Sequence, residues 1–102
     1  MFVEKYRIKI FPTAQNDLRE IANYLNTLSA TAATKYYDLI IEKISTLKNM
    51  PERCPLAKDA QLRLRGYRIL IIKNYIAFYV VNGDTIEIRR ILFARQQYEQ
   101  ML

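Results

Sequence analysis

Histidine is absent from this chain of 102 residues, and cysteine occurs once, as Cys54. Without histidine there is no imidazole to act as a general base, complete a Ser-His-Asp triad or hold a metal. A single cysteine excludes an internal disulfide and any multi-cysteine zinc site. Two glycines and three prolines are too few for a linker, a collagen-like repeat or a turn-rich sandwich. The two glycines also lie too far apart to cradle a phosphate. No apolar run is long enough to span a bilayer. Residues 1–11 carry Glu4, Lys5, Arg7 and Lys9 and lack the continuous apolar stretch of a secretory leader. The expected location is the cytoplasm, with no membrane partner, no cofactor and no metal.

What is present describes a globular chain. Hydrophobic residues make up 51% and charged residues 25%, and the length suits a single domain over residues 1–102. The net charge is +6, unevenly spread. Residues 60–98 hold Arg63, Arg65, Arg68, Lys73, Arg89, Arg90 and Arg95 against only Asp84 and Glu87. A basic half on a small domain points to an acidic partner: nucleic acid, the ribosome or an acidic protein segment.

Tyr6, Ile8 and Ile10 alternate with Arg7 and Lys9, which predicts a half-buried strand over residues 6–11 that Pro12 ends. Thr13 then reads as a helix N-cap with Asp17 in the first turn. Ala14, Leu18, Ile21, Leu25 and Leu28 form a helical stripe, with Asp17, Arg19, Glu20 and Asn23 expected on the solvent side. After a break at residues 29–31, Ala33, Tyr37, Ile40, Ile44 and Leu47 form a second stripe, stopped by Asn49 and Pro51. So short a connection predicts an antiparallel helical hairpin. Residues 51–64 show neither period and read as a loop. Residues 66–72, 75–81 and 85–93 read as a three-stranded meander, with turns at Lys73-Asn74 and Asn82-Gly83-Asp84. The apolar middle strand is expected to be covered on both faces. In the last strand, Ile86, Ile88 and Leu92 share one parity, Glu87 and Arg89 the other. The order is β-α-α-β-β-β: an α+β domain with the hairpin on one face of a mainly antiparallel four-stranded sheet. The hairpin covers one face, leaving aromatic and basic residues for the other.

Arginine grips phosphate or carboxylate with two parallel hydrogen bonds and stays charged at any working pH. Arg68 and Arg89 on strands, with Arg65, Lys73, Arg90 and Arg95 around them, would give an anion-binding surface. Alternatively, Arg89 pairs with Glu87 or a neighbouring strand, and Arg90 snorkels at the sheet edge. Tyr67, Tyr75 and Tyr79 are expected to pack. Tyr98, three residues after Arg95, either anchors the tail or serves in stacking or proton transfer. Glu87 is expected in a cross-strand ion pair. Cys54 lacks an activating base and is read as incidental.

Taken in order, Ala14-x-x-Asp17-Leu18-x-x-Ile21-x-x-Tyr24-Leu25, Met50-Pro51, Leu64-x-Gly66-Tyr67-Arg68, Asn74-Tyr75-Ile76-Ala77-Phe78-Tyr79 and Ile88-Arg89-Arg90-Ile91-Leu92-x-Ala94-Arg95-x-x-Tyr98 resemble the RelE/ParE superfamily of toxins from bacterial type II toxin–antitoxin modules. The resemblance spans nearly the whole chain. It implies a growth inhibitor neutralised by a cognate antitoxin, in modules that also stabilise plasmids by addiction. A homodimer stands beside these expected partners. RelE-like members cleave messenger RNA on the ribosome; ParE-like members poison DNA gyrase. For a RelE-like metal-independent nuclease, the resemblance assigns catalysis to Arg68, Arg95 and Tyr98; Arg65, Lys73, Arg89 and Arg90 are the expected binding residues under any of the readings. Ile76 stands where such an enzyme has arginine, and Leu70 where it has a second strand lysine. The hairpin over residues 13–49 is also longer than RelE-like helices. These departures place the ParE-like reading first and ribosome-dependent cleavage second. A nucleic-acid-binding module without toxin activity ranks third, and would show steeply salt-dependent binding.

Overall fold

The computed structural model describes residues 6–94. Strand β1 (Arg7–Ile10) is followed by helices α1 (Pro12–Leu28) and α2 (Ala30–Ser45), a 3-10 turn (Thr46–Lys48), a five-residue helix α3 (Ala60–Leu64), and strands β2 (Arg68–Ile72), β3 (Tyr75–Asn82) and β4 (Thr85–Phe93). The sheet order is β1-β4-β3-β2. β1 runs parallel to β4, and the other two pairings are antiparallel. This is the α+β arrangement that the sequence predicts. Among the described residues, no helix is long and apolar enough to cross a membrane.

α1 starts two residues earlier than expected, with its N-cap at Phe11 rather than Thr13. Pro12 occupies its first turn, where a fixed φ suits the helix and the missing N–H costs nothing. Phe11 takes the N-cap position without a side-chain cap. Thr13 therefore lies inside the helix, and its Oγ1 donates to the Arg89 carbonyl at 2.8 Å. Ser29 alone separates the two long helices. It closes α1 through its N–H and opens α2 by accepting from the Ala32 N–H at 3.2 Å. Ala14, Leu18 and Leu25 of the first stripe are buried and Ile21 is partly covered, while Leu28 at the hairpin tip is exposed. In the second stripe, Ala33, Ile40, Ile44 and Leu47 are buried and Tyr37 is exposed.

The sheet separates two cores. On the hairpin side, Leu18, Ile40 and Ile44 pack with Leu70, Ile72, Tyr79, Ile86, Ile88 and Ile91. The opposite side carries its own cluster of Ala57, Leu62, Tyr67, Ile76, Phe78 and Leu92. The expectation that this second face would be left to aromatic and basic residues is thus corrected. The segment from Ala57 to Tyr67 folds across it, and the loop assignment of residues 51–64 is corrected over α3. Asp59 caps α3 by accepting from the Leu62 N–H at 3.1 Å. The Ala57 N–H donates to the Tyr67 carbonyl at 2.8 Å and the Ile69 N–H to the Pro55 carbonyl at 3.1 Å. A helix of one and a half turns has too few residues to show a period. β3, covered on both sides, is buried from Tyr75 to Tyr79 without alternation, as predicted.

One irregularity organises β4. Phe78 opposes Arg90 and Tyr79 opposes Ile88, so Arg89 is the extra residue of a β-bulge. A bulge shifts the alternation that follows it. Ile86, Ile88 and Ile91 consequently belong to the hairpin-side core and Leu92 to the other. The predicted common parity of Ile86, Ile88 and Leu92 therefore fails after Ile88. At the turns, Gly83 has φ +62° and Lys73 φ +55°. The left-handed region costs a non-glycine residue roughly 1 kcal/mol, which Lys73 bears to close the β2–β3 hairpin.

Candidate functional site

Tertiary structure separates the arginines that the sequence grouped together. Arg68 opposes Tyr79 on the hairpin-facing side of β2. Its Nη1 donates to the carbonyls of Cys54 at 2.7 Å and Glu52 at 3.2 Å. It therefore clamps the segment that leads onto the second face. Cys54 itself is buried. The Tyr79 hydroxyl donates to the Pro51 carbonyl at 2.7 Å, fastening the same segment from below. Burial pushes the Tyr79 phenol far above its ordinary range. Burial also raises Tyr75, with the neighbouring Tyr36 and Tyr24 adding to the shift. Tyr67, Tyr75 and Tyr79 are all buried, as expected of packing residues.

Arg90 faces a different task. β1 ends opposite Ile88, so β4 beyond that point has no strand on this side. The first two turns of α1 lie against the open edge instead. An exposed backbone ladder needs polar partners, and α1 provides them. Thr13 satisfies the Arg89 carbonyl, and Asp17 Oδ2 accepts from the Ile91 N–H at 2.9 Å. The same carboxylate receives Arg90 through Nε at 2.8 Å and Nη2 at 3.0 Å. Asp17, predicted to face solvent, is only 6% exposed. Its position between Ala14 and Leu18 marked it as off the apolar stripe, but this part of the helix meets a polar strand edge. The Asp17 hydrogen bond is also the main reason that Arg90 is held above the ordinary arginine range.

Arg89 turns to the second face and centres a row of alternating cations and rings. Its guanidinium carbon lies 4.8 Å from the Phe11 ring centre and 5.7 Å from that of Tyr67. Lys9 Nζ lies 5.4 Å from the Phe11 centre at one end of the row, and the Arg65 guanidinium 5.1 Å from the Tyr67 centre at the other. Arg89 also donates to Glu87 Oε1 from Nη2 at 2.7 Å and Nε at 3.1 Å, and to the Tyr67 hydroxyl at 3.3 Å. The expected cross-strand pair of Glu87 is thus formed within its own strand. The Arg89 hydrogen bonds hold the Glu87 carboxyl below its ordinary range. For Arg89 itself, burial favours the neutral form, but the Glu87 and Tyr67 contacts outweigh it and the pKa rises.

Of the seven predicted site residues, then, Arg65 and Arg89 meet through Tyr67. Arg68 is on the opposite side of the sheet, Arg90 is bound to α1, and Lys73 is exposed at the β2–β3 turn. Arg95 and Tyr98 lie outside the described residues. Lys9 and Phe11 join this row although neither is among the residues expected at the site. Their parity beside Arg7 was visible, but placing them near Arg89 requires β1 to pair with β4. Separately, a groove of about 410 Å³ runs between α1 and β4, lined by Ile21, Tyr24, Tyr75 and Phe93 with Glu20 and Arg90 at its border. Tyr75 packs edge-on against Tyr36 and Phe93, with ring centres 6.5 and 5.7 Å away.

The model of the ParE toxin family of type II toxin–antitoxin systems, parDE, matches residues 8–98. No curated protein sequence matches significantly. Among solved structures, the fold is similar to a chain of the chromosomal ParDE toxin–antitoxin system from P. aeruginosa, with a TM-score of 0.78 and 21% identity. That alignment covers 91% of this chain and 100% of the other. A second similar structure is a chain of the toxin–antitoxin complex RelBE2 from Mycobacterium tuberculosis. Its TM-score is 0.55 at 20% identity, with 87% of this chain and 98% of the other covered.

Proposed function

Because this chain belongs to the ParE toxin family of type II toxin–antitoxin systems, we propose that it inhibits growth by binding DNA gyrase, is held in check by a cognate antitoxin and acts in the cytoplasm. The observation that favours binding over RNA cleavage is the use to which the strand positions are put. Leu70 and Ile76, where a RelE-like nuclease would carry cations, are 7% and 9% exposed and belong to the two cores. Arg68, the remaining strand cation of that set, has its guanidinium bound to two backbone carbonyls. Charge stabilisation of a cleavage transition state needs donors aimed at the reacting group, and these residues are committed elsewhere.

The test combines a supercoiling assay on purified gyrase with cell-free translation and mapping of messenger RNA ends. The expected result is loss of supercoiling, reversed by the antitoxin, with the message intact. New cuts inside translated codons with supercoiling unaffected would replace this reading with ribosome-dependent cleavage. Arg95→Ala and Tyr98→Phe would then be the first variants to assay.

A further inference from the structure

The groove between α1 and β4 is distinct from the row of cations and rings, and its chemistry is different. Aromatic rings of Tyr24, Tyr75 and Phe93 and the apolar Ile21 line it, and its charged groups are Asp17, Glu20 and Arg90. We propose that it binds a small organic ammonium ion, with the charge beside Glu20 and Tyr24 and the hydrocarbon body on Ile21 and Phe93. Charge complementarity supports this ligand. Two carboxylates against one guanidinium leave the groove with one negative charge in excess, on a chain whose net charge is +6. The Arg90 guanidinium is bound through Nε and Nη2 by Asp17. Glu20, which also acts on Arg90 through space, forms no ion pair among the described residues. Its one side-chain hydrogen bond there is from the neutral Asn16 Nδ2, at 3.3 Å.

The rings add to this charge. Glu20 and Tyr24 are one helical turn apart on α1, so their side chains are neighbours on the helix surface. Tyr24 is 63% and Phe93 39% exposed, so the fold leaves both rings accessible to a ligand. An aromatic ring attracts a cation through its quadrupole, and most strongly where water is partly excluded. An anionic ligand would be repelled by Glu20 and would find the Nε and Nη2 donors of Arg90 already committed to Asp17. The volume of about 410 Å³ falls at the small end of the range for small-molecule sites, with the mainly apolar lining and few polar groups typical of them. The site is inferred from its own geometry and stands whether the toxin acts on gyrase or on the ribosome.

The experiment titrates the full chain, followed by amide NMR shifts, with three probes of one size and different charge: 2-phenylethylammonium, 2-phenylethanol and phenylacetate. The ammonium ion should bind about tenfold more tightly than the alcohol, phenylacetate should bind least, and the shifted amides should be those of residues 20–24 and 91–93. Glu20→Gln should weaken ammonium binding about threefold or more and leave the alcohol unchanged. Tyr24→Leu, at an exposed position, should weaken the ammonium ion by a similar factor. Glu42→Gln, exposed on α2 and outside the groove, should change it less than about twofold, because exposed charges are screened. Thermal melting of each variant verifies the fold. Equal affinities for ammonium ion and alcohol would reduce the groove to an apolar cleft and overturn the proposal. Tightest binding of phenylacetate would reassign it to anions at Arg90. Equal losses in Glu20→Gln and Glu42→Gln would reduce the effect to overall charge and overturn it. Absence of shifts at millimolar ammonium probe would do the same. The assay contains neither gyrase nor ribosomes, so its failure leaves the proposed target untouched.

Discussion

On one side of the sheet, two long helices lay Leu18, Ile40 and Ile44 over Ile72, Tyr79, Ile86 and Ile88. On the other, a short helix and an irregular segment set Ala57, Leu62 and Tyr67 over Ile76, Phe78 and Leu92. The first side is closed by apolar periodicity. The second depends on directional contacts: Arg68 on two carbonyls, Tyr79 on Pro51, Asp59 on the start of α3. Charged groups also distribute differently. Near the hairpin, Arg90 reaches Asp17 at the strand edge, where carboxylate, guanidinium and backbone N–H complete one another. One residue earlier, Arg89 enters a row of rings on the opposite face with a cation at either end. Two adjacent arginines thus take unrelated roles because a bulge falls between the regular parts of β4.

The sharpest test of the two faces is Phe78→Ala. Phe78 is fully buried on the second face, and truncation of such a residue should cost about 4 kcal/mol in urea denaturation. Ile44→Ala on the hairpin side should cost a comparable 3 kcal/mol or so. A loss at Phe78 below about 1 kcal/mol would reduce the second cluster to a loose flap.

Next in size is Asp17→Ala. It removes the carboxylate that accepts from the Arg90 guanidinium and from the Ile91 N–H. The expected cost is about 3 kcal/mol, the low end for a broken buried pair, since the Arg90 side chain keeps 21% exposure. Asp17→Asn, which retains an acceptor, should lose about half as much. Equal losses would assign the effect to the carboxylate charge facing Arg90 rather than to the acceptor that Asn retains.

Arg68→Ala should cost about 1.5 kcal/mol and act locally. Hydrogen exchange should accelerate at the Ala57 and Ile69 amides, which tie the segment to β2, and not at the hairpin-side amides. Uniform acceleration would show that the clamp supports the whole fold.

The smallest effect concerns Glu87. Its carboxyl is held below the ordinary range by Arg89, so the unfolded chain takes up the proton at a higher pH than the folded one. The pair therefore stabilises the protein above the unfolded carboxylate pKa of about 4.3, by about 1 kcal/mol at most. That contribution is lost as pH falls through the lower folded value. Glu87→Gln should be less stable than wild type near neutrality and approach it in acid. A difference constant with pH would remove the ion pair as its cause.

The order of elements, the helical hairpin, the doubly covered β3 and the family resemblance are all legible in the amino-acid pattern. Each of these rests on local pattern: a stripe repeating every three or four residues, alternation in β1, an uninterrupted apolar run from Tyr75. The amino-acid pattern also marked the arginines as the residues of interest. Tertiary structure decided what each arginine does. The bulge at Arg89, the burial of Asp17 and the helix within residues 51–67 have no local signature, because each answers a demand made by distant backbone. Asp17 is buried by a strand edge that β1 is too short to cover. Arg89 meets the Phe11 ring, which Lys9 also approaches, only because β1 joins the sheet beside β4, more than seventy residues later in the chain. Periodicity reports which side of an element is apolar. It carries no information about which elements become neighbours, and the charged side chains here take their roles from those neighbours.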